Sequence, residues 1–278
     1  MRPPRRAPPS KPEDASRFEV SVSASESALN QKFCETRSAN WAIGVDSPAM
    51  NRMPDDSSGE ENATIAWVGP FVVFMAWLAI DKYLPIANPG KEILRDLVLL
   101  ASIIGFSRRF LPRGAPHWIA SVALGVGVFV VWIAPDLLIP TWRSSVIFQN
   151  GLLGRVKTSI PPEELTPLML ALRTARAALL VPILEELFWR GWLPRWLQDN
   201  RFTRVPLGQY TPLAFWATAI LFAAEHGPFW EVGLICGIIY NWWMKRTRSL
   251  GDLMLVHATT NFALSMYVIA TDRWTFWM

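Results

Sequence analysis

The chain has 278 residues, of which 51% are hydrophobic and 18% charged, with a mean hydropathy of +0.20 and fifteen tryptophans. This balance fits a membrane protein rich in interfacial aromatic residues. The formal charge of +4 is no sign of nucleic-acid binding: the basic residues are scattered through loops and the N-terminal segment, not gathered with stacking aromatics on one face.

Residues 1–63 differ from the rest. They are rich in Ser, Pro, Asp, Glu, Arg and Asn and poor in large apolar residues, so they cannot bury enough surface to fold alone and are expected to be disordered. They lack the apolar core of a signal peptide. Met50 and Met53 lie just before the first apolar run, which raises the expectation that translation starts there. Cys34 lies in this segment and Cys236 in an apolar run; no C-x-x-C spacing exists, so the cysteines do not define a redox compartment.

Residues 64–278 read as helical spans joined by short polar loops. The expected spans are 64–84, 93–106, 117–139, 166–197, 212–226, 229–244 and 250–269, with a longer linker at 140–166 marked by Asn150-Gly151, Gly154 and Pro161-Pro162. Spans of 17–25 residues suit a hydrocarbon core of roughly 30 Å. The expected fold is an all-α polytopic membrane helix bundle of about seven transmembrane helices, within a range of six to eight. With the N-terminus in the cytoplasm, three inside loops carry Arg108, Arg109 and Arg113, then Arg195, Arg201 and Arg204, then Lys245, Arg246 and Arg248. The positive-inside rule therefore favours this orientation, with Arg143, Arg155 and Lys157 as the exception.

The central stretch is Val181-Pro-Ile-Leu-Glu185-Glu186-Leu-Phe-Trp-Arg190. An ionised carboxylate in hydrocarbon is costly, so an adjacent pair here demands partners or a polar cavity. On a helix, Glu186 and Arg190 share a face at i and i+4, while Glu185 points about 100° away. One glutamate would be a general base or a metal ligand and the other the partner of Arg190; alternatively, both are solvated at a helix end. Phe222-Ala-Ala-Glu225-His226 closes the fifth span, with Gly227-Pro228 breaking it. His226 is either functional or an interfacial residue, and Glu225 is expected to be an edge charge. His257 and Asn261 share a face in the seventh span. They could donate to a developing oxyanion or tie helices together. His117 is expected to be interfacial, with no role, and Gly125 and Gly127 to allow close helix packing. No H-E-x-x-H or G-x-S-x-G motif and no pair of Asp residues on neighbouring spans is present.

Three motifs in order, E-E-x-x-x-R, F-x-x-x-H and H-x-x-x-N, resemble the CPBP family of CAAX-type and bacteriocin-processing intramembrane proteases, relatives of the type II CAAX prenyl endopeptidase. They stand here as Glu185-Glu186-Leu-Phe-Trp-Arg190, Phe222-Ala-Ala-Glu-His226 and His257-Ala-Thr-Thr-Asn261, and the resemblance spans about 166–271. Ile160-Pro-Pro-Glu-Glu-Leu and the tryptophan-rich context also resemble the branch associated with exosortase and PEP-CTERM sorting.

The resemblance implies an intramembrane endopeptidase of a bacterial inner membrane, acting on membrane-associated peptides or proteins. Glu185 would be the general base, His226 would orient water, and His257 and Asn261 would stabilise the oxyanion. Glu186, Arg190 and Phe222 would support the site. Both metal-free and metal-dependent readings of the family fit these residues, the latter with a divalent ion such as zinc held by Glu185, His226 and His257. The metal-free one is favoured by the pairing of Asn261 with His257, and no organic cofactor is expected. The alternative is a non-catalytic membrane scaffold or immunity-type factor. Two departures stand out. Family members are expected to have eight spans rather than seven, and the loop assignment places His226 nearer the outer face than His257, a mismatch on the order of 10 Å. Neither the sequence nor the resemblance specifies an oligomeric state.

Overall fold

The computed structural model describes residues 57–156, 161 and 164–277. The expected polar tail lies outside these residues as far as 56, as do Cys34, Met50 and Met53. The described residues belong to one unit. Seven main helices account for most of it: α1 Ser57–Ile80, α2 Gly90–Ser102, α3 Trp118–Leu138, α4 Pro167–Trp196, α5 Pro212–Glu225, α6 Trp230–Thr247 and α7 Leu250–Thr271. No strand occurs among the described residues. The all-α expectation holds, and the helix boundaries fall close to the expected spans, except that α1 begins at Ser57 rather than at 64.

Among the described residues, four helices are long and apolar enough to cross a membrane: 59–83, 118–138, 167–196 and 250–271. The protein is an integral membrane protein. α5 has only 14 residues, and the α-helical part of α2 has 13 before a π-helical turn at Ile103–Ser107. These elements are too short to cross a hydrocarbon core of roughly 30 Å upright at 1.5 Å per residue.

Local chemistry sets the helix ends. Thr166, Thr211 and Ser249 each accept a backbone N–H of the first turn, from Met169, Ala214 and Asp252, and Pro167 and Pro212 follow at first-turn positions where no N–H is missed. α5 stops at Gly227, whose φ of 49° suits glycine and where an added Cβ would meet the Leu153 carbonyl oxygen at 2.8 Å.

α4 is not a uniform helix. π-helical turns at Arg176–Leu180 and Leu187–Trp192 flank the α-helical segment Val181–Glu186. Each π turn runs into a proline, Pro182 or Pro194. A proline cannot donate to the preceding turn and its ring crowds the carbonyl there, so the turn before it widens. The glutamate pair therefore sits on a short regular segment between two widened turns.

α7 packs about equally on α3 and on α4, and α5 packs on α6. One apolar cluster joins Trp67 and Phe71 of α1 to Leu184, Leu187 and Trp189 of α4 and to Tyr240 and Val256. A second cluster joins Ile133, Phe229, Val232, Val268, Phe276 and Trp277. Among the polar ties, Asp252, fully buried, receives the His117 backbone N–H at 2.8 Å and the Ser121 hydroxyl at 3.1 Å, with the His117 ring Nδ1 at 3.0 Å. His117, expected to have no role, thus links α3 to the first turn of α7.

The two glycines of α3 differ. A Cβ on Gly125 would lie 2.6 Å from the Val256 carbonyl oxygen and 2.7 Å from Thr259 Cβ, whereas nothing lies within 4 Å of one on Gly127. Close packing is thus a property of Gly125 alone. Gly125→Ala should cost about 1–3 kcal/mol by overpacking. Gly127→Ala should be neutral or slightly stabilising. Thermal unfolding of both variants in the same detergent checks the contrast.

Candidate active site

Glu185 and Glu186 leave α4 in different directions and meet different surroundings. Glu186, fully buried, accepts from Arg190 Nη1 at 3.2 Å and lies with Oε1 2.8 Å from His257 Nδ1. Arg190 is also fully buried. Its Nε donates to Asn241 Oδ1 at 3.2 Å, and its guanidinium lies over the Phe222 ring at 4.2 Å and the Tyr240 ring at 5.2 Å. Asn241 in turn donates to the Phe215 carbonyl at 2.9 Å, which fixes its amide orientation. The i, i+4 pair read from the sequence is therefore one edge of a larger network, and Glu186 orients His257 as well as pairing with Arg190.

Glu185 faces a cavity of about 190 Å³ whose lining includes His226, His257, Asn261, Tyr240 and Cys236. Its Oε2 is buried, has no hydrogen-bond partner and lies 4.0 Å from His257 Nε2. That gap is too long for a direct hydrogen bond and wide enough for a bridging water.

His226 caps α5. Its Nδ1 lies 2.7 Å from the Phe222 carbonyl oxygen, which can only accept, so Nδ1 carries the proton and neutral His226 presents Nε2 as an acceptor. The Trp132 ring packs on it edge-on at 5.3 Å. The turn after His226 is pinned by Arg143, which donates to the Pro228 carbonyl, lies over Phe229 at 3.9 Å and pairs with Asp136 and Glu231 at 2.6 Å each. Burial opposes the Arg143 charge, but the two carboxylates outweigh it and hold its pKa above the ordinary arginine value. This residue, an exception in the charge count along the loops, is thus neutralised locally.

Asn261 donates one amide N–H to the Ala177 carbonyl at 2.9 Å. An amide carries two such donors, so one remains. Glu225, expected to be an edge charge, is half-buried and accepts from Trp189 Nε1 at 3.0 Å. Phe222 stands between the two histidine rings, 4.6 Å from His226 and 6.4 Å from His257, so the phenylalanine of the second motif packs on both.

All four residues expected to be catalytic thus line one cavity, and the expected mismatch in depth between His226 and His257 does not arise. Sequence reasoning missed Tyr240 and Asn241. Their signal was a polar dipeptide inside the apolar run 232–244, which is expensive in a membrane unless it is used.

The metal alternative can be tested on this arrangement. Among the described residues, no group of three His, Cys, Asp or Glu side chains is placed to hold a metal ion. His257 Nδ1 is occupied by Glu186 and His226 Nδ1 by Phe222, which leaves Nε2 of each imidazole as its free nitrogen.

The fold and site define a membrane helix bundle with a buried Glu–Arg–His network beside an internal cavity. Residues 167–263 match the family model described as type II CAAX prenyl endopeptidase Rce1-like. The matched stretch holds all three motifs and bears out the resemblance read from them. No curated protein and no solved structure matches the chain.

The network predicts strong coupling. Arg190→Met should destabilise the protein by about 3–5 kcal/mol, because it leaves the Glu186 carboxylate buried without its cation. Adding Glu186→Leu should recover part of that loss, and a double-mutant cycle by thermal unfolding in detergent measures the coupling.

Proposed function

We propose that the protein is an intramembrane endopeptidase that hydrolyses peptide bonds of membrane-associated substrates. The observation that carries this reading is the unpartnered Glu185 Oε2, aimed into a cavity shared with His226, His257 and Asn261.

In the proposed reaction, a water sits between Glu185 Oε2 and His257 Nε2 and donates its second hydrogen to His226 Nε2. Glu185 removes a proton as the water oxygen attacks the carbonyl carbon of the scissile bond. The carbonyl oxygen becomes an oxyanion, stabilised by the remaining Asn261 N–H and by His257 Nε2–H, protonated and supported by the Glu186 carboxylate. When the tetrahedral intermediate collapses, the C–N bond breaks and the protonated Glu185 returns its proton to the leaving amine. A positioned base contributes typically 10²–10⁴-fold, and an oxyanion donor about 10²–10³-fold. Peptide hydrolysis needs both, and this cavity supplies candidates for both.

The test compares membrane proteomes of cells carrying the wild type, Glu185→Gln and His226→Ala, with and without chelator. New peptide termini should appear only with the wild type. Identical termini in all three strains would overturn the enzymatic reading. Asn261→Leu should retain residual cleavage, reduced about 10²–10³-fold. Termini that survive chelation support the mechanism as written; termini lost on chelation would call for a rearranged site holding a metal.

A further inference from the structure

A second cavity, of about 420 Å³, adjoins the first. The two share four lining residues: Ala177, Val181, Asn261 and Trp277. Their linings otherwise differ. The second cavity is bordered by Asp81, Lys91, Glu92, Arg95, Arg173 and Arg176. These charges are paired: Lys91 with Asp81 at 3.3 Å and Arg176 with Glu92 and Asp96 at 2.8 Å each across elements, and Arg95 with Glu92 within α2. The Nε of Arg95 is buried and has no hydrogen-bond partner.

Partly buried ion pairs of this kind are weak sources of stability. Ionisable side chains within membrane segments are retained where they line a polar or water-filled path. A cavity this size holds on the order of ten waters at the liquid volume per molecule.

Trp277 stands between the cavities. It follows the 3₁₀ turn Trp274–Phe276 after α7, is buried, and stacks on Trp274 at 5.5 Å. Its carbonyl accepts from Arg173 Nη2 at 3.0 Å, and the Arg173 guanidinium lies 4.8 Å from its ring centre. Arg173 also pairs with Glu164 at 3.7 Å.

We infer that the charged cavity is the aqueous entrance and subsite for a hydrated, polar segment of the peptide substrate, and that Trp277, latched by Arg173, is the movable partition between this subsite and the catalytic cavity. The inference rests on the endopeptidase reading for the word substrate; the shared lining of the two cavities and the contacts of Trp277 do not depend on that reading. An apolar flank of the peptide would leave the ion pairs of the entrance without their water, whereas a polar one replaces that water with hydrogen bonds of its own.

The test needs no catalysis. Cys236 lines the catalytic cavity and is 2% exposed. With Cys34→Ser in the background it is the sole thiol of the full chain. Its rate of modification by a cationic methanethiosulfonate is measured in detergent and in lipid nanodiscs. Trp277→Ala should raise the rate about tenfold or more, as when a segment that must open locally is removed. Asn88→Trp, an exposed position on the rim of the charged cavity, should slow labelling of both the parent and the Trp277→Ala protein. Trp277→Phe, which keeps an aromatic partition, should label like the parent and guards against a change in folding. An unchanged rate in Trp277→Ala, or fast labelling that persists with Asn88→Trp, overturns the inference. Gated labelling in a protein that produces no new peptide termini would keep the route and remove the peptide. Proteolysis without gating would do the reverse.

Discussion

The buried charge of Arg190 is the constraint on which the rest depends. A guanidinium in a membrane bundle needs its charge met from within the protein, and here three helices contribute, with Nη2 alone left without a hydrogen-bond partner. Glu186 supplies the charge from the same helix, Asn241 an amide oxygen from α6, and Phe222 and Tyr240 the faces of their rings. The same Glu186 oxygen, Oε1, that accepts from Arg190 also meets His257 Nδ1 on α7. One ion pair thereby ties together the helices that border the cavity and sets the imidazole of His257 at the distance from Glu185 that a water can bridge.

The same constraint separates the two glutamates. Glu186 is held by the arginine and the histidine and does not line the cavity, while Glu185, one residue earlier, does. The widened turns on either side of Val181–Glu186, each leading into a proline, isolate this short segment within α4. Two adjacent carboxylates thus meet two different surroundings, because adjacent residues on a helix cannot face the same way.

Much of this was legible in the sequence. The helix boundaries follow from apolar runs punctuated by Thr166-Pro167, Thr211-Pro212 and Gly227-Pro228, all local signals that the chain obeys. The pairing of Glu186 with Arg190 follows from helical spacing alone. Spacing could not show that Glu186 also reaches His257, 71 positions away, because that contact depends on how α4 and α7 cross. Nor could it show that Asn241 serves Arg190, that Glu225 accepts from Trp189, or that His117 and Asp252 tie α3 to α7. The π turns were hidden as well, since a proline in a helix reads as a kink or a start and not as a widened turn. The depth of His226 was misjudged by counting 1.5 Å per residue along idealised upright spans, which α5, at 14 residues, is not. The partition at Trp277 has no sequence signature, because tryptophans are common throughout the chain.

The most direct test of the central claim follows oxygen rather than activity alone. Purified protein, reconstituted into lipid, would be incubated with a cleavable membrane peptide in ¹⁸O-labelled water, and the products would be read by mass spectrometry. The account predicts one ¹⁸O in the new carboxyl terminus with the wild type and no product with Glu185→Gln at unchanged thermal stability. Product formation by Glu185→Gln at the wild-type rate would contradict it, as would a new terminus without solvent oxygen.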